Sequence, residues 1–233
     1  MASNFVSDEA QRRRIRSFVL RNSRLTKAQK GALERYWDRY GVAKETPADV
    51  HTLFGNDAPT ILEIGFGNGE SLAETAARHP ENNYLGVEVH QPGIGHLLAE
   101  LHNRNINNVR IYCSDAVEIL EDNIVDGTLD GIHLFFPDPW SKRRHHKRRL
   151  VSDEFMELML KALKAKGYVH AATDWKDYAN QIRRLFDENK SFLSRSGDNF
   201  YLARTKDRPL TKFEKRGLGL GHQVWDLVYT KVK

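Results

Sequence analysis

Apolar positions along this chain change their period several times, and the changes mark out its elements. Between residues 29 and 40 (QKGALERYWDRY), Leu33, Tyr36, Trp37 and Tyr40 recur at three- and four-residue spacing, which predicts a helix with one packed face. From residue 61 onward, short apolar runs alternate with helical patterns. Strands are predicted at 61–64, 84–89, 109–113, 132–136 and 168–172, with one or two more near the end, including 224–229. Helices are predicted at 70–78, 95–103, from 116, at 154–163 and at 175–188. Strands separated by helices of this length are βαβ units, so the expected fold is α/β: a doubly wound, Rossmann-like, largely parallel sheet. Such sheets take their ligands in the crevice beyond the carboxyl ends of the strands. No internal repeat and no Gly/Ser- or Pro-rich linker interrupts the pattern. The expected organisation is a basic extension with its helix over 1–40, followed by one α/β domain over 41–233.

Composition fits a globular chain: 233 residues, 40% hydrophobic and 29% charged. The single Cys113 excludes an internal disulfide framework and suits a reducing compartment. No run approaches the roughly 20 apolar residues of a membrane span, and mean hydropathy is −0.61. Asp8 and Glu9 argue against reading the arginine-rich start as a transit peptide. A cytoplasmic protein with no membrane partner is expected. Charge placement matters more than its sum. Residues 1–30 carry eight Lys/Arg against two acids, and 141–149 (SKRRHHKRR) carry six against none, so a net charge of +5 leaves 5 − 6 − 6 = −7 on the rest. Two basic segments on an acidic body suit a polyanion partner, because each neutralised phosphate releases condensed counterions. Lys142, Arg143, Arg144, Lys147, Arg148 and Arg149 are therefore candidate phosphate contacts.

The first strand runs into Glu63-Ile64-Gly65-Phe66-Gly67-Asn68-Gly69 and then a helix, the context a glycine-rich cofactor loop requires. A dinucleotide fingerprint would need glycine where this chain has Glu70. Gly65, Gly67 and Gly69, preceded by a carboxylate, instead look like the S-adenosyl-L-methionine loop of class I methyltransferases. Glu63 and Glu70 suit a ligand carrying a sulfonium and an ammonium, and would repel the phosphate that favours a bare helix N-terminus. Glu88 ends the second strand, where an acid can accept from ribose hydroxyls, and Asp115 ends the third, placed to meet adenine. Asp115 can equally cap the helix that follows it.

The fourth strand stops at Pro137-Asp138-Pro139-Trp140, where two prolines stiffen the loop that presents Asp138. The loop resembles, in altered order, the proline-rich loops of methyltransferases acting on nucleobase nitrogen, and the basic run follows it directly. Together ILEIGFGNG, GVEVH, FFPDPWSKRRHHKRR, ATDW and TKFE-x-RG, with the head RIRSFV-x-R and RLTK, closely resemble the bacterial tRNA (guanine-N7-)-methyltransferases, the TrmB family, over nearly the whole chain. The resemblance implies a class I methyltransferase domain that methylates N7 of the variable-loop guanosine of tRNA (m7G46) with S-adenosyl-L-methionine. It also implies that Glu63, Glu88, Asp115 and Asp138 contact cofactor, that Asp138 is catalytic, and that Lys142, Asp174 and Thr211, Lys212, Phe213 and Glu214 contact substrate.

Residue chemistry is compatible with those roles and leaves alternatives open. Asp174 ends the fifth strand and could instead cap the next helix. Residues 211–214 offer a hydroxyl, a cation, a ring and a carboxylate, a set that RNA sites use to stack and read bases. His145 and His146 have no neighbouring ligands, so no metal is expected. The aromatic stripe of 29–40 is expected to pack on the body. Guanine N7 has a lone pair and no proton to lose, so positioning and charge placement should suffice for catalysis. Asp138, Asp174 and Glu214 are all candidates for reading the guanine edge. Methylation of an exocyclic amine of RNA, or an inactive RNA-binding factor on the same fold, are the alternative functions, and monomer and homodimer are equally compatible with the sequence.

Overall fold

The computed structural model of the chain describes residues 16–18, 24–47, 49–196, 201–202, 208–210, 212–219 and 221–233. Eight strands form one sheet: β1 (Gly41–Val42), β2 (Thr60–Ile64), β3 (Asn83–Val87), β4 (Val109–Tyr112), β5 (Leu129–Phe135), β6 (Leu163–Thr173), β7 (Phe192–Ser194) and β8 (Trp225–Lys231). Their order is β1-β4-β3-β2-β5-β6-β8-β7. β1 to β6 pair in parallel, and β8 runs antiparallel to both β6 and β7. The expected doubly wound sheet is present, with β2 and β5 adjacent at its centre.

The helices are α1 (Lys27–Tyr40), α2 (Val50–Phe54), α3 (Glu70–Arg78), α4 (Gln91–Asn103), α5 (Ala116–Asp122), α6 (Asp153–Ala162), α7 (Lys176–Glu188) and α8 (Lys212–Gly219), with a 3-10 turn over Arg143–Arg148. α1 opens on a capping box between Thr26 and Gln29 and buries Ala32 and Tyr40. Its Tyr36 ring stacks on His102 of α4 at 4.0 Å, so the aromatic stripe packs as its spacing predicts. α4 starts at Gln91, four residues before the predicted start, because a proline in the first turn gives up no intrahelical hydrogen bond. Ile94, Leu97, Leu98 and Leu101 then form a fully buried i, i+3, i+4, i+7 face, each side chain contributing roughly 1.5–3 kcal/mol.

Side-chain alternation divides the core into two layers. On β2, Leu62 and Ile64 face the layer that holds α5, α6 and α7, whereas Ile61 faces the layer that holds α1, α3 and α4. Glu63 shares the parity of Ile61 and is buried at 2% exposure beside His133 of β5, its partner in register. Glu63 Oε2 and His133 Nδ1 are 4.0 Å apart and neither atom has a hydrogen-bond partner, while His133 Nε2 lies 3.0 Å from the Tyr168 hydroxyl. Burial pushes the Glu63 carboxyl up to about 8. Burial, helped by the neighbouring His170, pushes His133 down to about 3. Both groups are therefore neutral in the folded protein near pH 7.

The folded value of Glu63 lies above its ordinary 4.5, so as pH rises through that ordinary value the unfolded chain releases a proton the folded chain keeps. Stability falls until the folded carboxyl also ionises near pH 8. Glu63→Gln removes this dependence. Its melting temperature should rise relative to the parent by roughly 3–6 °C per pH unit between about pH 5 and 8, from about 1.4 kcal/mol per unit and 2–4 °C per kcal/mol. Parallel melting curves across that range would show the carboxyl to be ionised throughout.

Candidate active site

The loops leaving β2, β3, β4 and β5 enclose a cavity of about 230 Å³ beyond the carboxyl ends of the strands. Ile64, Val87, Val89, Ala116, Phe135, Phe136 and Leu150 give it apolar walls, and Glu88, Asp115 and Asp138 bring three carboxylates to it. Gly65, Gly67 and Gly69 all adopt positive φ, at 70°, 58° and 75°, which lets the chain turn from β2 into α3. A Cβ on Gly65 or Gly67 would meet nothing within 4 Å, so the loop presents bare backbone to open space. Behind it, a Cβ on Gly93 would lie 2.0 Å from the Gly67 carbonyl oxygen, so α4 and the loop touch backbone to backbone.

Glu88 fastens this loop. Its Oε2 accepts from Gly67 N–H at 2.8 Å, and its Oε1 accepts from Val89 and His90 N–H at 2.7 and 3.0 Å. A carboxylate has about four acceptor sites, so these bonds leave capacity facing the cavity. Asp115 caps α5 by accepting from Val117 N–H at 3.0 Å, and it also lines the cavity.

Asp138 is exposed at the rim, with no hydrogen bond or ion pair among the described residues. The loop around it is strained, since Phe136 and Trp140 hold φ of 52° and 46°, a conformation costing about 1–3 kcal/mol per non-glycine residue. Neighbours hold it in place. Phe136 N–H donates to the Ala172 carbonyl at 2.7 Å, Arg149 Nε donates to the Pro139 carbonyl at 2.9 Å, and Trp140 Nε1 donates to the Ser17 carbonyl at 3.0 Å. Ser17 and Phe18 of the basic head thereby reach the cavity wall, a contribution carried in the sequence only by the RIRSFV motif. The remaining basic-head arginines Arg12, Arg13, Arg14 and Arg21 lie outside the described residues.

The basic run divides by exposure. Lys142, Arg143, Arg144 and Lys147 point to solvent. Arg148 lies over the Trp140 ring at 4.8 Å. A neighbouring cavity of about 340 Å³ shares Ser17, Asp115 and Leu150 with the first and adds Lys147, Arg148 and Arg149, so the run borders the crevice. Arg149 departs from its expected role as a phosphate contact. Its side chain is 2% exposed and its guanidinium is spent on acceptors inside the protein.

Two of the candidate carboxylates are buried away from the cavity. Glu63 is not among the residues lining the cavity: its position on β2 turns it to the α3 face, against His133. Glu214 is also buried at 2%. Both its oxygens accept from Arg208, at 2.6 and 2.7 Å, and Arg208 also grips Asp226 at 2.8 and 3.0 Å. Burial pulls the Asp226 carboxyl up, but hydrogen bonds from His170 and Arg208 outweigh it and hold the group below its usual range. Glu214 thus anchors α8 to the sheet. Nothing in the TKFE motif distinguishes an anchoring carboxylate from a reading one. Asp174, by contrast, is not the cap of α7. Trp175 takes that position, its N–H donating to Thr173 Oγ1 at 3.2 Å, and Asp174 stays at the strand end with His222 Nδ1 3.9 Å away. Thr211 and the side chains of Lys212 and Phe213 lie outside the described residues.

Three comparisons bear on this geometry. A family model described as "Putative methyltransferase" matches residues 57–227. The chain is 51% identical over 220 residues to the tRNA (guanine-N(7)-)-methyltransferase of Serratia proteamaculans, covering 94% of this chain and 92% of the relative. It is 48% identical over 239 residues to the protein of the same name from Pectobacterium atrosepticum, covering 100% of both. Among solved structures, the 16S rRNA methyltransferase KamB matches with a TM-score of 0.55 at 14% identity, over 91% of this chain and 96% of that one, a likeness of fold alone. With a class I methyltransferase sheet, a carboxylate-lined crevice at its switch point and relatives of this identity and coverage, the chain belongs to the tRNA (guanine-N7-)-methyltransferase family.

Proposed function

We propose that this protein transfers the methyl group of S-adenosyl-L-methionine to N7 of the variable-loop guanosine of tRNA, in the cytoplasm where that substrate resides. The observation that carries the reading is one of charge: carboxylates line the cavity while exposed cations begin four residues after Asp138. The residues fit the cofactor. The bare backbone at Gly65 and Gly67 admits a close ligand, Glu88 keeps acceptor capacity for ribose hydroxyls, and Asp115 stands beside an apolar wall suited to adenine. When bound, the cofactor supplies an electrophilic methyl group on a sulfonium.

The chain's own groups then have limited tasks. Guanine N7 carries a lone pair and no proton, so no side chain has to act as a strong base. Asp138 provides fixed negative charge where positive charge passes to the base, and electrostatic preorganisation of this kind is commonly the largest catalytic contribution. With Glu214 buried against Arg208 and Asp138 given to the reacting face, Asp174 accepts from guanine N1–H and N2–H. It emerges from β6 beside the loop of β5, joined to it by the Phe136-to-Ala172 hydrogen bond. Lys142, Arg143, Arg144 and Lys147 hold tRNA phosphates.

Methyl transfer from labelled cofactor to unmodified tRNA, followed by nucleoside identification, tests the reading. 7-Methylguanosine is expected, and a product methylated on an exocyclic amine would overturn it. Because no proton leaves N7, the single-turnover rate at saturating cofactor and tRNA should be flat from roughly pH 6 to 8.5. Asp138→Asn should lower that rate by about 10²–10³, as for loss of one preorganised electrostatic group. A rate that climbs through neutrality in the parent but not in Asp138→Asn would make Asp138 a base. Separately, replacing Lys142, Arg143, Arg144 and Lys147 with alanine should reduce the slope of log K for tRNA against log salt by about 0.7–0.9 for each phosphate no longer neutralised, with cofactor affinity unchanged. An unaltered slope would mean that these cations face only solvent.

A further inference from the structure

Arg149 closes a run of cations that sequence composition assigns wholly to phosphate binding, yet it is held like a core residue. Its Nε donates to the Pro139 carbonyl at 2.9 Å, Nη1 donates to Gln181 Oε1 at 2.6 Å, and Nη2 donates to Asp177 Oδ2 at 2.6 Å. His146 Nε2 lies 3.2 Å from Nη2, and the Tyr178 ring supports the guanidinium at 4.9 Å. The acceptors come from two places that matter to the crevice. Pro139 follows Asp138 directly, and Asp177 and Gln181 stand on the first turns of α7, just after Asp174.

We infer that Arg149 is a positioning residue for methyl transfer: it clamps the carbonyl of Pro139 to the start of α7 and so fixes the loop that presents Asp138 relative to Asp174. Proline supplies no N–H at 137 or 139, so the loop cannot brace itself with its own donors there, and Phe136 and Trp140 on either side are both at positive φ. The Pro139 carbonyl is held instead from outside the loop, by Arg149 Nε. A guanidinium reaches three acceptors in one plane, whereas a lysine ammonium is a point charge on a flexible stem and cannot span them. The same geometry leaves little for a phosphate, because three of the five N–H donors are bonded inside the protein and the side chain is buried.

The clamp matters to transfer through Asp138, so it rests on the role proposed for that residue, and the test separates the two. Arg149→Lys keeps the charge and removes the fork. Single-turnover methyl transfer at saturating cofactor and tRNA should fall by about 10- to 100-fold, while dissociation constants for both and the salt slope for tRNA stay within about two-fold. Positional precision of this order is what near-attack geometry demands. In an Asp138→Asn background the same substitution should have little further effect, since residues acting through one element are non-additive. Asp177→Asn guards against a folding defect, because it keeps an acceptor oxygen for the buried guanidinium and changes only an exposed partner of the clamp; a fall of about three- to ten-fold in rate is expected, with a melting temperature lowered by no more than a few degrees. An unchanged rate in Arg149→Lys, a loss confined to tRNA affinity and salt slope, or full additivity with Asp138→Asn would each overturn the clamp. A silent Asp138→Asn would overturn the role of Asp138 instead, whatever Arg149→Lys does.

Discussion

A parallel sheet whose connections lead outward in opposite directions from two adjacent strands has to open a cleft at their carboxyl ends. Here those strands are β2 and β5: the chain leaves β2 for β3 and β4 on one side, and leaves β5 for β6 on the other. The loops after Ile64 and Phe135 therefore turn apart, and the groups that carry chemistry sit on the resulting rim. The pairing of Ile61 with Gly131 and Glu63 with His133 fixes how far each loop projects. A slip of one residue would displace the Asp138 loop by roughly 3.3 Å and turn Leu62 and Ile64 to the wrong layer. Burial on both faces of the sheet penalises that slip, so the accuracy of the site derives from the two cores beneath it.

Upon that frame the charges are sorted by sign and by exposure. Glu88, Asp115 and Asp138 border a partly enclosed, partly apolar cavity, where a cationic ligand gains most from them. The exposed cations stand outside it in solvent, where their collective field attracts a polyanion and is screened beyond about 8 Å at physiological salt. Buried ionic groups elsewhere are compensated locally: Arg208 by Glu214 and Asp226, and Arg149 by Asp177. Such pairs add little net stability over apolar packing, but removing one partner is expensive, so they are effective at fixing where a segment docks. Arg208, which also lies over the Phe135 and Phe136 rings at 5.7 and 5.5 Å, ties α8 to the strand that ends at the site.

Much of this is legible in the sequence, for definable reasons. Strands buried on both faces read as apolar runs, and β2 to β6 stand out that way, within a few residues except at the start of β6. The glycine loop is legible because three positive-φ positions in five residues leave few alternatives. Short elements are not: β1 has two residues and is defined by its pairing with β4, and α2 and β7 are too brief to show a period. Glu63 illustrates a deeper limit. On a strand with all five positions buried, alternation shows which residues share a face, but which face meets the cavity depends on how the next loop turns. Glu214 is similar, since Arg208 and Asp226 reach it through the tertiary fold.

The basic run shows how the same residue type comes to do opposite things. A 3-10 turn repeats every three residues, so positions 143, 146 and 149 lie on one side, and the end nearest the body is covered first. Arg143 remains in solvent, His146 is half-buried, and Arg149 is enclosed with its guanidinium close to the His146 ring. Burying a guanidinium is tolerable only where acceptors wait, and α7 offers Asp177 and Gln181 one turn apart on a single face. That i, i+4 pair is visible in the sequence as part of the polar face of an amphipathic helix, but nothing local says that it faces an arginine 28 residues upstream. Charge composition therefore locates the exposed cationic segment, while the tertiary supply of acceptors decides which of its cations turns inward to hold the Asp138 loop.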